Sequence, residues 1–344
     1  MDKIRIGVLG PADIAMRRMV PAILKCEEYE YMGVAVAYEE EKKPDYDPER
    51  GISDDTGFLS STGTDKARQF CEKFDGAIYN GYFAMLESDD IDAVYIALPP
   101  ALHHKWAKQA LKCHKHVFLE KPFTTCLNDT KELTDIAEKN DLAVTENFAF
   151  CYHAQVAKIK EILAEGTLGD IRIIRSTFQF PFRGDADFRY NKALGGGALL
   201  DCGCYTLKLV EELLGKDVRI TDHNLMYKEG YDIDMYGAIT AVGSKGEIAH
   251  LSFGMDQQYC CDLEIWGSRG CLKSPRIYTP PADLPVTLTL TCGMDKKEIT
   301  VDADDQFQRS AEAFAKIIHD GKYRREAYES IKRQGERVDL CQQG

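Results

Sequence analysis

Residues 4–15 read Ile4-Arg5-Ile6-Gly7-Val8-Leu9-Gly10-Pro11-Ala12-Asp13-Ile14-Ala15, and they carry the strongest fold signal of this 344-residue chain. The first six residues form an apolar run that is typical of a strand buried on both faces of a parallel sheet. Gly10 follows directly, and residues 14–25 then place apolar side chains at helical spacing. A strand, a glycine turn and a helix in this order predict the first unit of a dinucleotide-binding fold.

The glycine turn departs from the usual Gly-x-Gly-x-x-Gly pattern at two positions. Gly10 permits the tight turn, Ala12 takes the second glycine position, and the small Ala15 takes the third. The Cβ of Ala12 would keep a pyrophosphate slightly further from the backbone, but the helix start still offers N–H groups and a positive dipole end. A glycine-rich turn without a ligand would show the same pattern. The predicted cofactor contacts here are Gly10, Pro11, Ala12, Asp13 and Ile14.

Strands and helices alternate through the first 147 residues. This alternation predicts a doubly wound parallel sheet, a Rossmann dinucleotide-binding domain of residues 1–147. A polar segment rich in glycine and proline, residues 39–60, interrupts the pattern. We predict a surface insertion there, either beside the adenosine end of a cofactor or without a role.

From residue 148 the pattern changes. Seven strand-like runs occur between residues 171 and 301, and one substantial helix, residues 198–214, interrupts them. Strands without intervening helices predict an antiparallel sheet. We therefore predict that residues 148–344 form a second, α+β domain for substrate binding and oligomerisation, with a large, mostly antiparallel open sheet and closing helices at its end. Two domains also agree with the length of the chain.

Composition excludes several classes of function. A net charge of −13 and a pI of about 5.2 disfavour nucleic-acid binding, which needs a basic surface. No apolar run approaches the roughly 20 residues that span a bilayer, and the N-terminus lacks an apolar signal-peptide core. The twelve cysteines include no Cys-x-x-Cys pair, which argues against a metal site and against a disulfide framework. We expect a cytoplasmic protein without metal or membrane contacts.

The tripeptide Glu120-Lys121-Pro122 directly follows the apolar run His116–Leu119. Ligands of open α/β sheets bind outside the carboxyl ends of the strands, so a lysine held there by a proline is placed to touch one. Leu98-Pro99 ends the strand at residues 93–97 at the same edge, and His103 begins the next helix, although it could instead cap or pack. Further predicted cofactor contacts are Leu98, Pro99, His103, Glu120, Lys121 and Pro122.

The choice between NAD and NADP depends on the end of the second strand. Glu39 stands there, and an acidic residue at this point bonds the ribose diol of NAD. Lys42, Lys43 or Arg50 could instead fold back onto the 2′-phosphate of NADP. The cofactor is therefore NAD or NADP, and Glu39 favours NAD.

A second group of candidate site residues follows the three glycines Gly195–Gly197. Asp201 and Tyr205 are four residues apart on a predicted helix and therefore share a face. A carboxylate and a phenol at this spacing are common on ordinary surfaces. The glycines permit close approach to a ligand, however, and Lys121 would make proton transfer by a phenol easier.

Four motifs together resemble the glucose–fructose oxidoreductase / inositol dehydrogenase family (Gfo/Idh/MocA), from Ile4 to about Asp320. Within that family, residues 10–18 are most similar to the nucleotide-sugar 3-ketoreductases, and residues 194–199 also fit the branch with glucose–fructose oxidoreductase and dihydrodiol dehydrogenase. The motifs are Gly7-x-x-Gly10, Pro99-x-x-x-His103, Glu120-Lys121-Pro122 and Asp201-x-Gly203-x-Tyr205.

The resemblance implies an NAD(P)-dependent oxidoreductase that acts on a sugar, a sugar nucleotide or a polyol. Because a large open sheet commonly finds a partner, we expect a homodimer or homotetramer. It implies that Lys121 bonds the reacting oxygen, that Tyr205 gives or takes the proton, and that Asp201 orients the substrate. Phe150-Cys151 stands where many relatives have Tyr-Arg, and Pro100 replaces a common asparagine. The family also contains sensing regulators without activity and NAD-dependent glycosidases, which stay open as alternatives.

Overall fold

The computed structural model describes residues 2–47 and 61–343. Most of the predicted insertion, residues 48–60 with Arg50, lies outside this described part. Throughout the described residues, no helix combines the length and the apolar character that are needed to cross a membrane.

The first sheet is parallel throughout the described residues. Its strands are β1 (Ile4–Leu9), β2 (Tyr29–Val36), β3 (Ala77–Asn80), β4 (Ala93–Ile96), β5 (His116–Glu120) and β6 (Val144–Asn147). Their order in the sheet is β3-β2-β1-β4-β5-β6, with every neighbouring pair parallel. From β1 the chain adds strands outward on one side, to β3, and from β4 it adds them outward on the other side, to β6. The predicted doubly wound sheet is therefore confirmed.

Helices connect these strands. A π-helical turn, Ala15–Met19, leads into α1, and a short 3₁₀ turn, Pro100–Leu102, leads into α4. The helices are α1 (Val20–Ile23), α2 (Ser61–Phe74), α3 (Tyr82–Leu86), α4 (His103–Lys112) and α5 (Leu127–Lys139). The sequence pattern did not predict β3 and α3. The strand β3 is a mostly exposed edge strand of four residues and α3 has only five, so neither shows a hydrophobic period.

The second sheet is large and mostly antiparallel, as predicted. Its strands are β7 (Ile171–Gln179), β8 (Arg219–Tyr227), β9 (Asp234–Val242), β10 (Ile248–Gly254), β11 (Cys260–Gly267), β12 (Gly270–Ser274), β13 (Val286–Cys292) and β14 (Asp295–Val301). Their order is β14-β13-β12-β11-β7-β10-β9-β8, and among the described residues of this second sheet only β7 and β10 pair in parallel. The helices are α6 (Ala154–Ala164), α7 (Cys204–Leu214), α8 (Gln306–His319) and α9 (Gly321–Gln342).

The chain forms two compact units whose boundaries differ from the predicted domains at the C-terminal end. The first unit contains the chain up to Asn147 together with Ser310–Gly335, and the second contains Phe148–Arg309 together with the chain from Glu336. The sequence pattern predicts the closing helices but not the sheet that they cover.

Side-chain contacts explain why the C-terminal segment belongs to the first unit. The ring of Phe314 packs on Phe118 of β5, with 4.8 Å between ring centroids. Tyr328 donates a hydrogen bond to the carbonyl oxygen of Leu142 at 2.6 Å. Both aromatic side chains are buried, so this segment supplies part of the apolar core that covers the parallel sheet.

Candidate active site

The glycine turn after β1 contacts the turn after β4. Gly10 has φ +85°, and a Cβ at this position would lie 2.6 Å from a methyl carbon of Leu98. Only glycine fits both the positive φ and this close approach. Pro11 and Ala12 are half-buried, while Asp13 and Ile14 are exposed, and Asp13 pairs with Lys66 at 3.0 Å. Among the described side chains, none caps the π-helical turn that follows.

His103 joins the two strand ends that carry the other predicted cofactor residues. Its side chain is fully buried, and its Nδ1 and Nε2 each lie 2.8 Å from a carbonyl oxygen, of Pro122 and of Leu98. Desolvation lowers the pKa of His103 to about 4, although both carbonyls favour the charged form. A neutral imidazole donates to one of these carbonyls at a time, and only an imidazolium donates to both.

Glu120 is held by two hydrogen bonds from neighbouring strands. Its Oε1 accepts from the hydroxyl of Tyr95 and from the side-chain amide of Asn147, both at 2.6 Å. Desolvation raises the pKa of Glu120, and these two bonds oppose the rise. Lys121 is half-buried, and the Lys121–Pro122 peptide bond is cis. Residues of β4 and β6 therefore orient the carboxylate of Glu120.

The acidic residues after β2 differ in their surroundings. Glu39, the predicted ribose contact, is exposed and pairs with Lys42 at 3.1 Å. Glu41 is fully buried, and its carboxylate accepts from the backbone N–H groups of Tyr38 at 2.6 Å and Tyr82 at 2.9 Å. Desolvation raises the pKa of Glu41 to about 7 despite these bonds.

In the second unit, Asp201 belongs to a charged network that the sequence did not predict. Arg189 donates from Nε to Asp201 at 2.8 Å and from Nη1 to Asp187 at 3.1 Å. Desolvation disfavours the guanidinium, but the charges of Asp201 and Asp187 outweigh it and raise the pKa of Arg189. Asp201 therefore lies beside a permanently charged partner.

The helix that carries Asp201 and Tyr205 begins with a π-helical turn, Leu199–Gly203, and continues as α7. The buried carboxylate of Asp234 caps its start by accepting from the N–H of Leu199 at 2.6 Å. Burial raises the pKa of Asp234 to about 6. π-Helical turns inside α-helices are frequent at functional sites because they change the direction of side chains.

Two of the three glycines before this helix, Gly196 and Gly197, are packed against the protein itself. A Cβ at Gly196 would lie 2.3 Å from the carbonyl oxygen of Arg189, and one at Gly197 would lie 2.5 Å from Asp234 Oδ1. The sequence suggested that these glycines permit close approach to a ligand. In the structure, Arg189 and Asp234 fill the space beside Gly196 and Gly197.

Aromatic rings hold Tyr205 in place. The rings of Phe148, Phe150, Phe178 and Tyr278 lie 5.0–5.6 Å from its centroid. Phe150 is thus a packing partner of Tyr205. Offset and edge-to-face contacts of this kind fix the orientation of a ring. The predicted proton-handling phenol therefore lies on a rigid aromatic support.

Each group of predicted residues meets within its own unit. Gly10, Leu98, His103 and Pro122 form one connected cluster in the first unit. Asp201 and Tyr205 share one helix in the second. Sequence reasoning missed Arg189, Asp234 and Glu41, which lie in a short 3₁₀ helix, at a strand start and in a turn, where no periodic pattern marks them. A hint existed for Arg189, because it lies only six residues before Gly195.

The first unit has the features that a dinucleotide needs. A helix start without a side-chain cap follows a buried strand and a glycine at positive φ, as phosphate groups require. Within residues 2–47 and 61–343, no cluster of three or more His, Cys, Asp or Glu side chains could hold a metal ion. All twelve cysteines lie in this part of the chain, and none of them takes part in a disulfide bond there.

Comparison with known proteins agrees with this arrangement. Residues 5–148 match the model of an oxidoreductase family with an NAD-binding Rossmann fold, and residues 156–273 match a GFO/IDH/MocA C-terminal domain. The chain is 35% identical over 343 residues to a dTDP-3,4-didehydro-2,6-dideoxy-alpha-D-glucose 3-reductase from Actinomadura kijaniata, covering 100% of this chain and 96% of that protein. It is 26% identical to a D-xylose 1-dehydrogenase (NADP(+)) from Haloferax volcanii, over 92% of this chain and 89% of the relative.

A solved structure shows the same fold over the whole length. It is a 3-ketoreductase from Actinomadura kijaniata in complex with NADP and TDP-benzene, with a TM-score of 0.88 and 34% identity. The alignment covers 100% of this chain and 98% of the other. The chain belongs to the GFO/IDH/MocA family, and it is an oxidoreductase that acts on hydroxyl or carbonyl groups of sugars with NAD or NADP.

Proposed function

We propose that this enzyme transfers hydride between a nicotinamide cofactor and a carbon of a nucleotide-linked sugar, with Lys121 and Tyr205 handling the proton. The similarity to a dTDP-sugar 3-reductase along the whole chain carries this proposal. A sugar ketone is the expected substrate in the direction of reduction. A free sugar or polyol is the broader alternative within the same reaction class.

The relative's solved structures support the choice of the two residues. They include a variant with a lysine replaced by alanine and another with a tyrosine replaced by phenylalanine. The separation between those two positions equals the separation between Lys121 and Tyr205 in this chain. The same two residue types at the same spacing, on 34% identical chains, favour equivalent roles.

The chemistry that we assign to this chain is the control of charge and protons. The nicotinamide, when bound, supplies or accepts the hydride. Hydride transfer to a carbonyl leaves a negative oxygen, which the Lys121 ammonium would stabilise and the Tyr205 hydroxyl would protonate. Asp201, paired with Arg189, would orient a sugar hydroxyl. His103 would hold the backbone of Pro122 and Leu98 in position beside the cofactor.

The cofactor preference depends on the segment after β2. Glu39 places negative charge there, which disfavours a 2′-phosphate, whereas the relative's structure holds NADP. Lys42, in the same segment, pairs with Glu39. We propose that NAD is accepted at least as well as NADP. Measurement of kcat/KM with NADH and NADPH decides between them.

Substitution of the two proposed catalytic residues tests the reaction. Lys121→Ala and Tyr205→Phe should each lower kcat on a dTDP-linked 3-ketosugar by about 100-fold or more, because each removes a group that acts on the reacting oxygen. Cofactor affinity, measured by nicotinamide fluorescence, should change less than about tenfold.

A control variant and a second readout complete this test. Tyr259→Phe removes an exposed phenol of the second unit and should keep the wild-type rate. Wild-type turnover in both Lys121→Ala and Tyr205→Phe would contradict the assignment. Release of an aglycone without net change in the cofactor would instead indicate a glycosidase.

A further inference from the structure

The loop after β7 exposes an aromatic ring in the second unit. Phe182 is 44% exposed, although it lies 4.6 Å from the ring of Tyr190 and 6.3 Å from the ring of Tyr231. Tyr190 is buried and anchors the group by donating its hydroxyl to the carbonyl oxygen of Met255 at 2.7 Å. A large ring that is supported from one side and open on the other is suited to stack on a planar ligand.

The next residue, Arg183, adds a positive charge to the same loop. The guanidinium of Arg183 lies 4.3 Å from the ring centroid of Phe180, and its backbone N–H donates to the hydroxyl of Tyr190 at 3.1 Å. Within the described part of the chain, no carboxylate lies within ion-pair distance of Arg183. Arg189, six residues later, is by contrast paired with both Asp187 and Asp201.

The acidic residues of this loop bind partners other than Arg183. Asp185 accepts a hydrogen bond from the hydroxyl of Tyr231 at 2.5 Å, and Asp187 pairs with Arg189. Arg183 is thus an exposed, oriented cation on a protein with a net charge of −13. An arginine that is held by stacking presents its planar fork to a phosphate with little loss of rotational freedom.

The loop is directly connected to the residues assigned to the sugar. Tyr190, which supports Phe182 and bonds Arg183, is adjacent to Arg189, and Arg189 pairs with Asp201 at 2.8 Å. A ligand that reaches from Asp201 to Phe182 would therefore need an anionic linker and a planar group at its far end. A nucleoside-diphosphate sugar has these parts in this order.

We propose that Phe182 and Arg183 form the subsite for the nucleotide half of a nucleoside-diphosphate sugar. Phe182 stacks on the base, and Arg183 pairs with the diphosphate. The identity of the sugar end rests on the proposed function, whereas the nucleotide subsite is defined by this loop alone.

Binding of thymidine diphosphate to the full-length enzyme tests this subsite. Saturation with NADP⁺ keeps the probe out of the cofactor site, and calorimetry at low salt measures the dissociation constant. Arg183→Gln should weaken binding at least tenfold and reduce its salt dependence, because one charge pair is lost. Phe182→Ala should weaken it about tenfold, and Phe182→Trp should restore it, because stacking on an aromatic ring is tolerant of the ring's identity.

Matched controls separate this site from general charge effects. Arg276 also stacks on an exposed aromatic ring of the second unit, at 5.8 Å from the ring centroid of Tyr259. Arg276→Gln should leave thymidine diphosphate binding unchanged. Equal binding by wild type and Arg183→Gln, or wild-type binding no tighter than that of inorganic pyrophosphate, would overturn the subsite.

The outcomes also separate this subsite from the proposed function. If Arg183→Gln and Phe182→Ala turn over a dTDP-sugar with an unchanged KM, the proposed reaction stands and the proposed nucleotide subsite is wrong. If thymidine diphosphate binds in an Arg183-dependent way but no dTDP-sugar is turned over, the nucleotide subsite stands and the proposed reaction is wrong.

Discussion

Glu41, in the segment after β2, shows how strongly burial changes the pKa of a single carboxyl group. It is fully buried, and the backbone N–H groups of Tyr38 and Tyr82 bind its two carboxylate oxygens. Desolvation nevertheless raises its pKa to about 7, and the charge of Lys105 opposes this only weakly. Glu41 therefore joins the end of β2 to the start of α3 as a carboxylate that changes its charge near neutral pH.

This shift predicts a pH-dependent stability. Because the folded pKa lies above the unfolded one, the folded chain holds a proton that the unfolded chain lacks between about pH 4.5 and 7. The contribution of Glu41 to the free energy of unfolding should therefore fall as pH rises through that window, by about 3 kcal/mol at most. Relative to wild type, Glu41→Gln should be more destabilising at pH 5 than at pH 8 in urea titrations.

The exposed Glu39 provides the control for this prediction. Glu39→Gln should change the free energy of unfolding by a small and nearly constant amount over the same pH range. A difference between wild type and Glu41→Gln that does not vary with pH would contradict the assigned burial effect.

At this scale the sequence identified residue types better than their roles. It predicted Glu39 as the acidic residue of the cofactor site, but three glutamates stand in a row and nothing in the pattern distinguishes the buried Glu41. It also predicted His103, with packing as the alternative to a cofactor contact. The structure shows a fully buried ring between two carbonyl groups, an environment that depends on the packing of α4 against β4 and β5.

Among the elements, the helix that carries Asp201 and Tyr205 has a tightly constrained start. Gly197 has φ +131°, and its missing Cβ leaves room for the Asp234 carboxylate that caps the helix. A side chain here would both strain the backbone and displace the cap. The helix direction, and with it the position of Tyr205, therefore depends on a glycine.

Gly197→Ala should lower the free energy of unfolding by about 2–4 kcal/mol, because positive φ and a close contact both oppose it. Gly230→Ala provides the matched control: Gly230 also has positive φ, +89°, but a Cβ there meets no atom within 4 Å. The control should cost only about 1–2 kcal/mol. Urea unfolding measures both, and equal losses would show that the contact with Asp234 contributes nothing.

For the molecule as a whole, the first unit is not a continuous stretch of sequence. The segment Ser310–Gly335 completes it, with Phe314 on Phe118 and Arg324 donating to the carbonyl oxygen of Asp141 at 2.7 Å. Its first residue, Ser310, donates to the side chain of Asn147 at 2.8 Å. The chain therefore leaves the first unit at Asn147 and returns to it at Ser310 at nearly the same point.

A fragment of residues 1–147 should consequently fold poorly. Without α8 and α9 it leaves the face around Phe118 open to water, so it should bind the dye ANS and unfold without a sharp transition in urea. Joining it through a short Gly/Ser linker to residues 306–335 should restore a cooperative transition. Equal unfolding curves for the two chains would contradict the role of the C-terminal segment.

The sequence alone determined the parallel sheet, the mostly antiparallel sheet and the family, because these depend on local periodicity and on short motifs. The tertiary structure decided which unit the C-terminal helices complete, which glutamate is buried and which arginine accompanies Asp201. Those features arise from contacts between residues far apart in the chain, such as Phe118 with Phe314, and hydrophobic periodicity does not specify the partner of an apolar face.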